Sequence, residues 1–347
     1  MARSLRRPLR PEGSRHVARL RLDPFTLALL TVVATTSLLP VHGTGAEALG
    51  IVTNLAIGVM FFLYGARLPR EAVVSGLTHW RLHVLVLLST FVLFPLLALG
   101  ANVLVPHFLS RDLYVGIVYL AVLPSTVQSS IAFTSIARGN VAAAICSASA
   151  SNLIGMVLTP VMVGLLLTAH GGGLSLQAVE AIAAQLFLPF VAGQLLRPWL
   201  GRWAERNRKL LSYTDRGSIL LVVYGAFSEA VVGGIWHQLP VADLLVMVAL
   251  DGALLALVLT ITTLVSRAFG FSKEDEIAIV FCGSKKSLAS GVPMANVLFA
   301  GQAIGVIVLP LMLFHQIQLM ACAALARRYA ARAQTPVNEA KQAALAA

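Results

Sequence analysis

Apolar stretches follow one another almost end to end from Leu22 to Tyr329, separated by short polar joints. A helix needs about 20 apolar residues to cross a bilayer. The pattern predicts ten such segments, at roughly 24–40, 46–66, 82–105, 112–137, 141–168, 177–197, 215–234, 241–265, 275–299 and 303–329. They form two sets of five, 24–168 and 169–329, and the longest joint, Arg197 to Asp215, is basic. A basic segment, 1–23, precedes them and a tail, 330–347, follows, leaving no stretch for a separate soluble domain. The arginine-rich start, the apolar run Phe25–Leu39 and the candidate cleavage region Val41–Ala46 also read as a leader peptide. The repeat described below needs this run as the first helix, so it is kept as one.

Composition agrees. Of the 347 residues 58% are hydrophobic and 12% charged, with a mean hydropathy of +0.83, whereas soluble domains carry about 25% charged residues. The net charge of +11 suggests nucleic acid at first sight. The charges, however, sit at segment ends and form no basic, aromatic-lined groove, which excludes that partner. Counting alternate joints as cytoplasmic places 23 of the 26 basic residues on one side and only Arg111 on the other. The positive-inside bias therefore predicts both termini in the cytoplasm of a cell-membrane protein, or of the inner membrane in a Gram-negative cell. Trp80, Trp199, Trp203 and Trp236 fall at the proposed interfaces. Cys146, Cys282 and Cys322 lie inside apolar segments, so neither disulfide nor metal site is expected.

The two halves echo one another. Tyr64-Gly65-Ala66 recurs as Tyr224-Gly225-Ala226, Gln128-Ser129-Ser130 aligns with Lys285-Lys286-Ser287, and Thr159-Pro160 with Leu309-Pro310. The offsets of 160, 157 and 150 pair segments 2 with 7, 4 with 9 and 5 with 10. Because each half holds an odd number of helices, the second must be inverted relative to the first, an arrangement used for alternating access.

Segments 4 and 9 are interrupted. One reads Leu123-Pro124-Ser125-Thr126-Val127-Gln128-Ser129-Ser130, the other Cys282-Gly283-Ser284-Lys285-Lys286-Ser287-Leu288-Ala289-Ser290-Gly291-Val292-Pro293. Proline and glycine break the helical hydrogen-bond ladder, and at membrane depth the freed backbone is tolerated only inside protein or beside a watery cavity. Gln128, Ser129, Ser130, Ser284 and Ser287 are therefore candidates to hold a ligand, with packing kinks glued by hydroxyls as the plainer reading. Each lysine at a helix centre costs at least about 2.5–3.5 kcal/mol. At an unwound break one of Lys285 and Lys286 can face the cavity while the other pairs with an acid or a carbonyl, and Asp251 is the acid nearest mid-membrane. Such a pair can capture an anion, replace a coupling cation or exchange a proton; the plainer reading is that both reach a watery vestibule. Asn54 and the titratable His315 are further candidates to line the cavity. Neither HExxH, paired aspartates nor a Ser-His constellation points to an enzyme.

The segment-9 run through Met294, with Gly139-Asn140-Val141-Ala142-Ala143-Ala144-Ile145 and Phe61-Phe62-Leu63-Tyr64-Gly65-Ala66-Arg67-Leu68, resembles the bile acid:sodium symporter family. It is most similar to the divergent symporter-like branch shared by bacteria, fungi and animals, over nearly the whole of 24–329. The resemblance implies an all-α fold of ten transmembrane helices in two inverted five-helix repeats. Helices 1, 2, 6 and 7 would form a panel, the others a core, with broken helices 4 and 9 crossing. It also implies a small organic solute and no cofactor beyond a coupling ion, Na+ or H+. In the better-known symporters a glutamate and a glutamine of segment 9 ligate sodium; Phe281 and Lys285 stand there here. Ser129-Ser130 matches their Ser-Asn pair, and Ala144 and Ala148 replace hydroxyls of segment 5. A transporter of an anionic solute without ordinary sodium coupling is thus expected. The rival is a non-transporting regulator of calcium entry, a role associated with eukaryotic members of the branch.

Overall fold

The computed structural model describes residues 24–67, 79–105, 107–168, 186–232, 234, 240–300 and 302–332, and all regular structure within them is helical. The basic N-terminal segment, the start of the sixth predicted segment, Trp236 and the end of the tail lie outside the described residues. The helices are α1 (Pro24–Leu38), α2 (Thr44–Arg67), α3 (Trp80–Leu104), α4 (Arg111–Val122), α5 (Val127–Ile136) and α6 (Val141–Thr168). They continue as α7 (Leu188–Arg206), α8 (Arg208–Val232), α9 (Val241–Ala268), α10 (Lys273–Gly283), α11 (Leu288–Leu298) and α12 (Ile304–Arg332).

Five of these, α2, α3, α6, α9 and α12, are long and apolar enough to cross a membrane alone. The pair α4 and α5, bent by 62° at its break, makes a sixth. The other predicted segments fall short for local reasons. Helix α1 has only 15 residues, α7 and α8 carry arginines, and α10 and α11, 11 residues each, are separated by the two lysines. Leucines and valines exposed along the helices, among them Leu55, Leu96, Leu165, Leu195 and Leu245, form the apolar outer surface that lipid requires. Trp80, Trp199 and Trp203 are exposed as well.

Helix α2 packs along α7 and α8, and α1 along α8. The remaining helices pack among themselves, with α12 against α4, α9, α11 and α5, and α10 against α3, α5, α6 and α9. Helix α8 touches α11 and α12. The tightest crossing, α2 on α7, depends on two glycines facing opposite backbones. A Cβ on Gly65 would overlap the Phe190 carbonyl oxygen, and one on Gly193 the Phe62 carbonyl oxygen. Lipid tails are as apolar as leucine, so close backbone approach rather than hydrophobic exclusion holds such helices together.

The turn between α5 and α6 accounts for the Gly139-Asn140 motif. Arg138 takes a left-handed φ of 58° and the Gly139 N–H returns to the Thr134 carbonyl at 2.8 Å, closing α5. Asn140 then caps α6 by accepting from the Ala143 N–H at 3.0 Å, while its amide donates to Asp275 at 2.8 Å on the first turn of α10. At that same end of α10, Glu276 accepts from Arg267, Lys273 and Tyr329, tying α9, α10 and α12 together.

Gly65→Ala and Gly193→Ala should each destabilise the purified protein by about 1–3 kcal/mol through overpacking. Gly225→Ala, in the second copy of the Tyr-Gly-Ala echo, has only Leu49 near, at 3.7 Å, and should be neutral. Thermal unfolding in detergent distinguishes the three.

Candidate functional site

The two breaks meet. Between α4 and α5 the chain is non-helical from Leu123 to Thr126, extended at both of these residues, and between α10 and α11 it is non-helical from Ser284 to Ser287. They are joined reciprocally: the Ser287 N–H donates to the Pro124 carbonyl at 2.9 Å, and Thr126 Oγ1 to the Lys286 carbonyl at 2.8 Å. Buried carbonyls without partners cost about 1–3 kcal/mol each, so the helix ends beside the breaks must be satisfied here.

At the end of α4, proline removes the ordinary donors. Pro124 has no N–H, and the Ser125 N–H turns to Ser151 Oγ at 3.0 Å, so the Ala121 carbonyl loses its helical partner. Val122 is satisfied by Thr159 Oγ1 at 2.8 Å. The carbonyls of Ala121 and Leu123 accept instead from the Lys286 ammonium, at 2.6 and 2.8 Å. Its third donor goes to the Thr90 carbonyl at 2.7 Å. Thr90 is free for this because α3 contains a π turn at Ser89–Leu93: the Phe94 N–H bonds to Ser89, and the next residue, Pro95, has none to give. The Phe94 ring closes a further side, its centroid 4.2 Å from Nζ.

At the end of α10 the solution is hydroxyls. Ser130 Oγ donates to Phe281, Ser125 Oγ to Cys282 and Ser89 Oγ to Gly283, at 3.0, 2.6 and 2.9 Å. Gln318 of α12 clamps the Lys286 peptide, accepting from its N–H at 2.9 Å and donating to its carbonyl at 3.0 Å, and also bonds His315 Nδ1 at 2.9 Å.

Two sequence expectations change at this point. Asp251 is not the lysines' partner. It is fully buried on α9 with both carboxylate oxygens outside any hydrogen bond, while the Lys286 ammonium is satisfied by carbonyls. Matching depth along two helices did not bring the groups together. Nor does either lysine reach a watery vestibule, since both are wholly buried. Lys285 projects the other way, its Nζ 4.0 Å from the centroid of Phe133 and 5.3 Å from that of Phe281, with no hydrogen bond.

A cavity of about 1250 Å³ opens in front of the crossing. Its inner wall is the first turn of α5 (Val127, Gln128, Ser129) and of α11 (Leu288, Ala289, Ser290), with Ser287 and Asn152. Ser287 Oγ, Ser290 Oγ and Asn152 Oδ1 form a chain of 3.1 and 2.9 Å. His315 and Phe133 also line it, and toward the helix ends so do Tyr64, Arg67, Arg197 and Arg216. Arg67 is held in a bidentate ion pair with the buried Asp215, at 2.7 and 2.8 Å. Of the predicted residues, the cavity therefore gathers Gln128, Ser129, Ser287 and His315. Ser130, Ser284, Lys285 and Lys286 lie buried behind its wall. Asn54 is elsewhere, exposed on α2 and bonded to Asn296 at 3.4 Å. Sequence reasoning missed Arg67 and Asp215 as site-forming groups. The placement of Arg67 and Asp215 at opposite ends of a 148-residue interval hides that pair.

Residues 23–331 match the model of the SBF-like CPA transporter family. The chain belongs to that family. The matched span contains both breaks and the whole cavity, so the chain is a multi-pass membrane transporter of the SBF-like type. It is 54% identical over 321 residues to "Putative symporter YfeH" of Escherichia coli K12, covering 92% of this chain and 96% of that protein. An uncharacterized protein of Pseudomonas aeruginosa is 58% identical over 311 residues, covering 89% and 93%. Sodium/bile acid cotransporter 7-A of Xenopus laevis is 29% identical over 318 residues, covering 87% and 90%. The similarity thus spans proteins of bacteria and vertebrates.

Removing a hydroxyl that serves a helix end should be costly. Ser125→Ala and Thr159→Val each orphan one buried carbonyl and should lose about 1–3 kcal/mol, whereas Thr31→Val, whose hydroxyl donates at an exposed position, should lose almost nothing; the melting temperatures of the three proteins test this.

Proposed function

We propose that this chain is a secondary-active carrier of a small organic anion, working by alternating access around the crossing of the two breaks. The observation that carries the reading is the shared wall of the cavity. The first turns of two half-helices, α5 and α11, both line it. Helix N-termini present unpaired N–H groups and about half a positive charge each, which favours a carboxylate, sulfonate or phosphate. Serine and asparagine side chains there add donors, and Arg197 and Arg216 add positive charge along the entrance. Broken half-helices facing a shared site are a recurring carrier design.

Ten helices in two inverted repeats fit this reading. The breaks fall in the fourth and ninth predicted segments. The packing of α1, α2, α7 and α8 into one group, which meets the rest through α8 on α11 and α12, supports a panel moving against a core. The basic ends of the helices would face the cytoplasm, and the cavity would then be open inward. A calcium-entry regulator needs no cavity walled by the first turns of two half-helices, so the carrier is favoured. The name of the vertebrate relatives, sodium/bile acid cotransporter 7, supports an organic acid as cargo. Coupling through the usual sodium ligands is disfavoured, because Phe281 and Lys285 stand at two of those positions and supply no oxygen ligand.

In proteoliposomes screened with small carboxylates, sulfonates and phosphates, uptake of at least one is expected, equal with and without a sodium gradient. Ser129→Ala and Asn152→Ala should raise KM roughly 5- to 30-fold, the effect of losing about 1–2 kcal/mol of binding, and Lys286→Gln should abolish uptake. Absence of uptake across the panel by protein shown to be folded would sink the proposal.

A further inference from the structure

The three-carbonyl pocket around Lys286 has the construction of a cation site. Its oxygens come from two separate elements, Thr90 from the π turn of α3 and Ala121 and Leu123 from the end of α4. Each lacks a helical donor: for Thr90 the Phe94 N–H goes to Ser89 and Pro95 has none, for Ala121 the Ser125 N–H turns to Ser151 at the break, and Leu123 stands in the extended chain past the end of α4. The end of a half-helix carries partial negative charge, and unwound carbonyls at such ends coordinate coupling ions in carriers. An ammonium has three donors, and here all three are used at 2.6–2.8 Å. Among the described residues no carboxylate forms an ion pair with Lys286, so the charge is held by the carbonyls and the face of the Phe94 ring. The equivalent end of α10 is closed by serine hydroxyls, which shows that orphaned carbonyls in this fold can be satisfied without a charge.

We propose that the Thr90, Ala121 and Leu123 carbonyls form a monovalent-cation site whose permanent occupant is the Lys286 ammonium, a cation tethered at the crossing in place of a dissociable one. The crossing is thereby assembled without a bound metal ion. Truncating the side chain creates a vacancy matched to a free primary ammonium. The assignment deepens the carrier reading, since it names how the crossing is held during transport. Its test uses no solute, so its failure and a failed uptake screen are separate results.

Purified Lys286→Ala in detergent should melt several degrees below the wild type in choline chloride, a cation too large for the pocket. Methylammonium chloride at equal ionic strength, the severed end of the side chain, should raise the variant's Tm saturably toward the wild-type value. The wild type itself should be unmoved by methylammonium, sodium or potassium. Methylammonium shifting both proteins alike, or neither, would overturn the proposal. If Lys286→Ala does not yield folded protein, the wild-type measurement decides alone. A saturable stabilisation of the wild type by sodium over choline refutes the tethered cation, and indifference to sodium supports it.

Discussion

A backbone carbonyl at membrane depth has no water to turn to, and this single constraint organises the centre of the molecule. Two helices are cut by proline and glycine, and every carbonyl freed on the α4 side from Leu120 to Pro124 has a partner: the Leu123 N–H, the Lys286 ammonium, Thr159, Lys286 again and the Ser287 N–H. On the α10 side the same work falls to Ser130, Ser125 and Ser89. Each break is thus completed by residues of the other and by the π turn of α3. Neither break is a stable structure on its own.

Mutual completion also sorts polarity. The C-terminal, electronegative ends of the half-helices α4 and α10 are turned inward onto lysine and serine. The N-terminal turns of α5 and α11 are left to line the cavity with Gln128, Ser129, Ser287 and Ser290. Charge that must be buried is therefore spent on structure, and the electropositive ends are available to a solute. Lys285 takes a third environment, between two aromatic rings, where cation–π attraction replaces hydrogen bonding.

Adjacent lysines in a regular helix would diverge by about 100°. Unwinding at 284–287 lets them diverge further, one to carbonyls and one to rings. The peptide between them and the next helix is clamped by Gln318, whose His315 partner lines the cavity. His315 thus connects the cavity, through one hydrogen bond, to the group that holds the Lys286 peptide.

The membrane class, the break positions and the family were legible in the sequence because they depend on local composition: long apolar runs, Pro and Gly at fixed spots, and two lysines no lipid-facing helix would tolerate. Even the choice between an acid and a carbonyl as lysine partner was framed correctly by the desolvation cost. What decided it was tertiary. Pro95 creates the Thr90 acceptor only because α3 adopts a π turn beside the end of α4. Asp251 is buried on α9 with both carboxylate oxygens outside any hydrogen bond. The Arg67–Asp215 pair and the Gly65–Gly193 crossing likewise join residues more than a hundred positions apart. Hydrophobicity and helix breaking act within a few residues and are written in order along the chain, whereas hydrogen bonds close at about 3 Å and depend on which helices pack together.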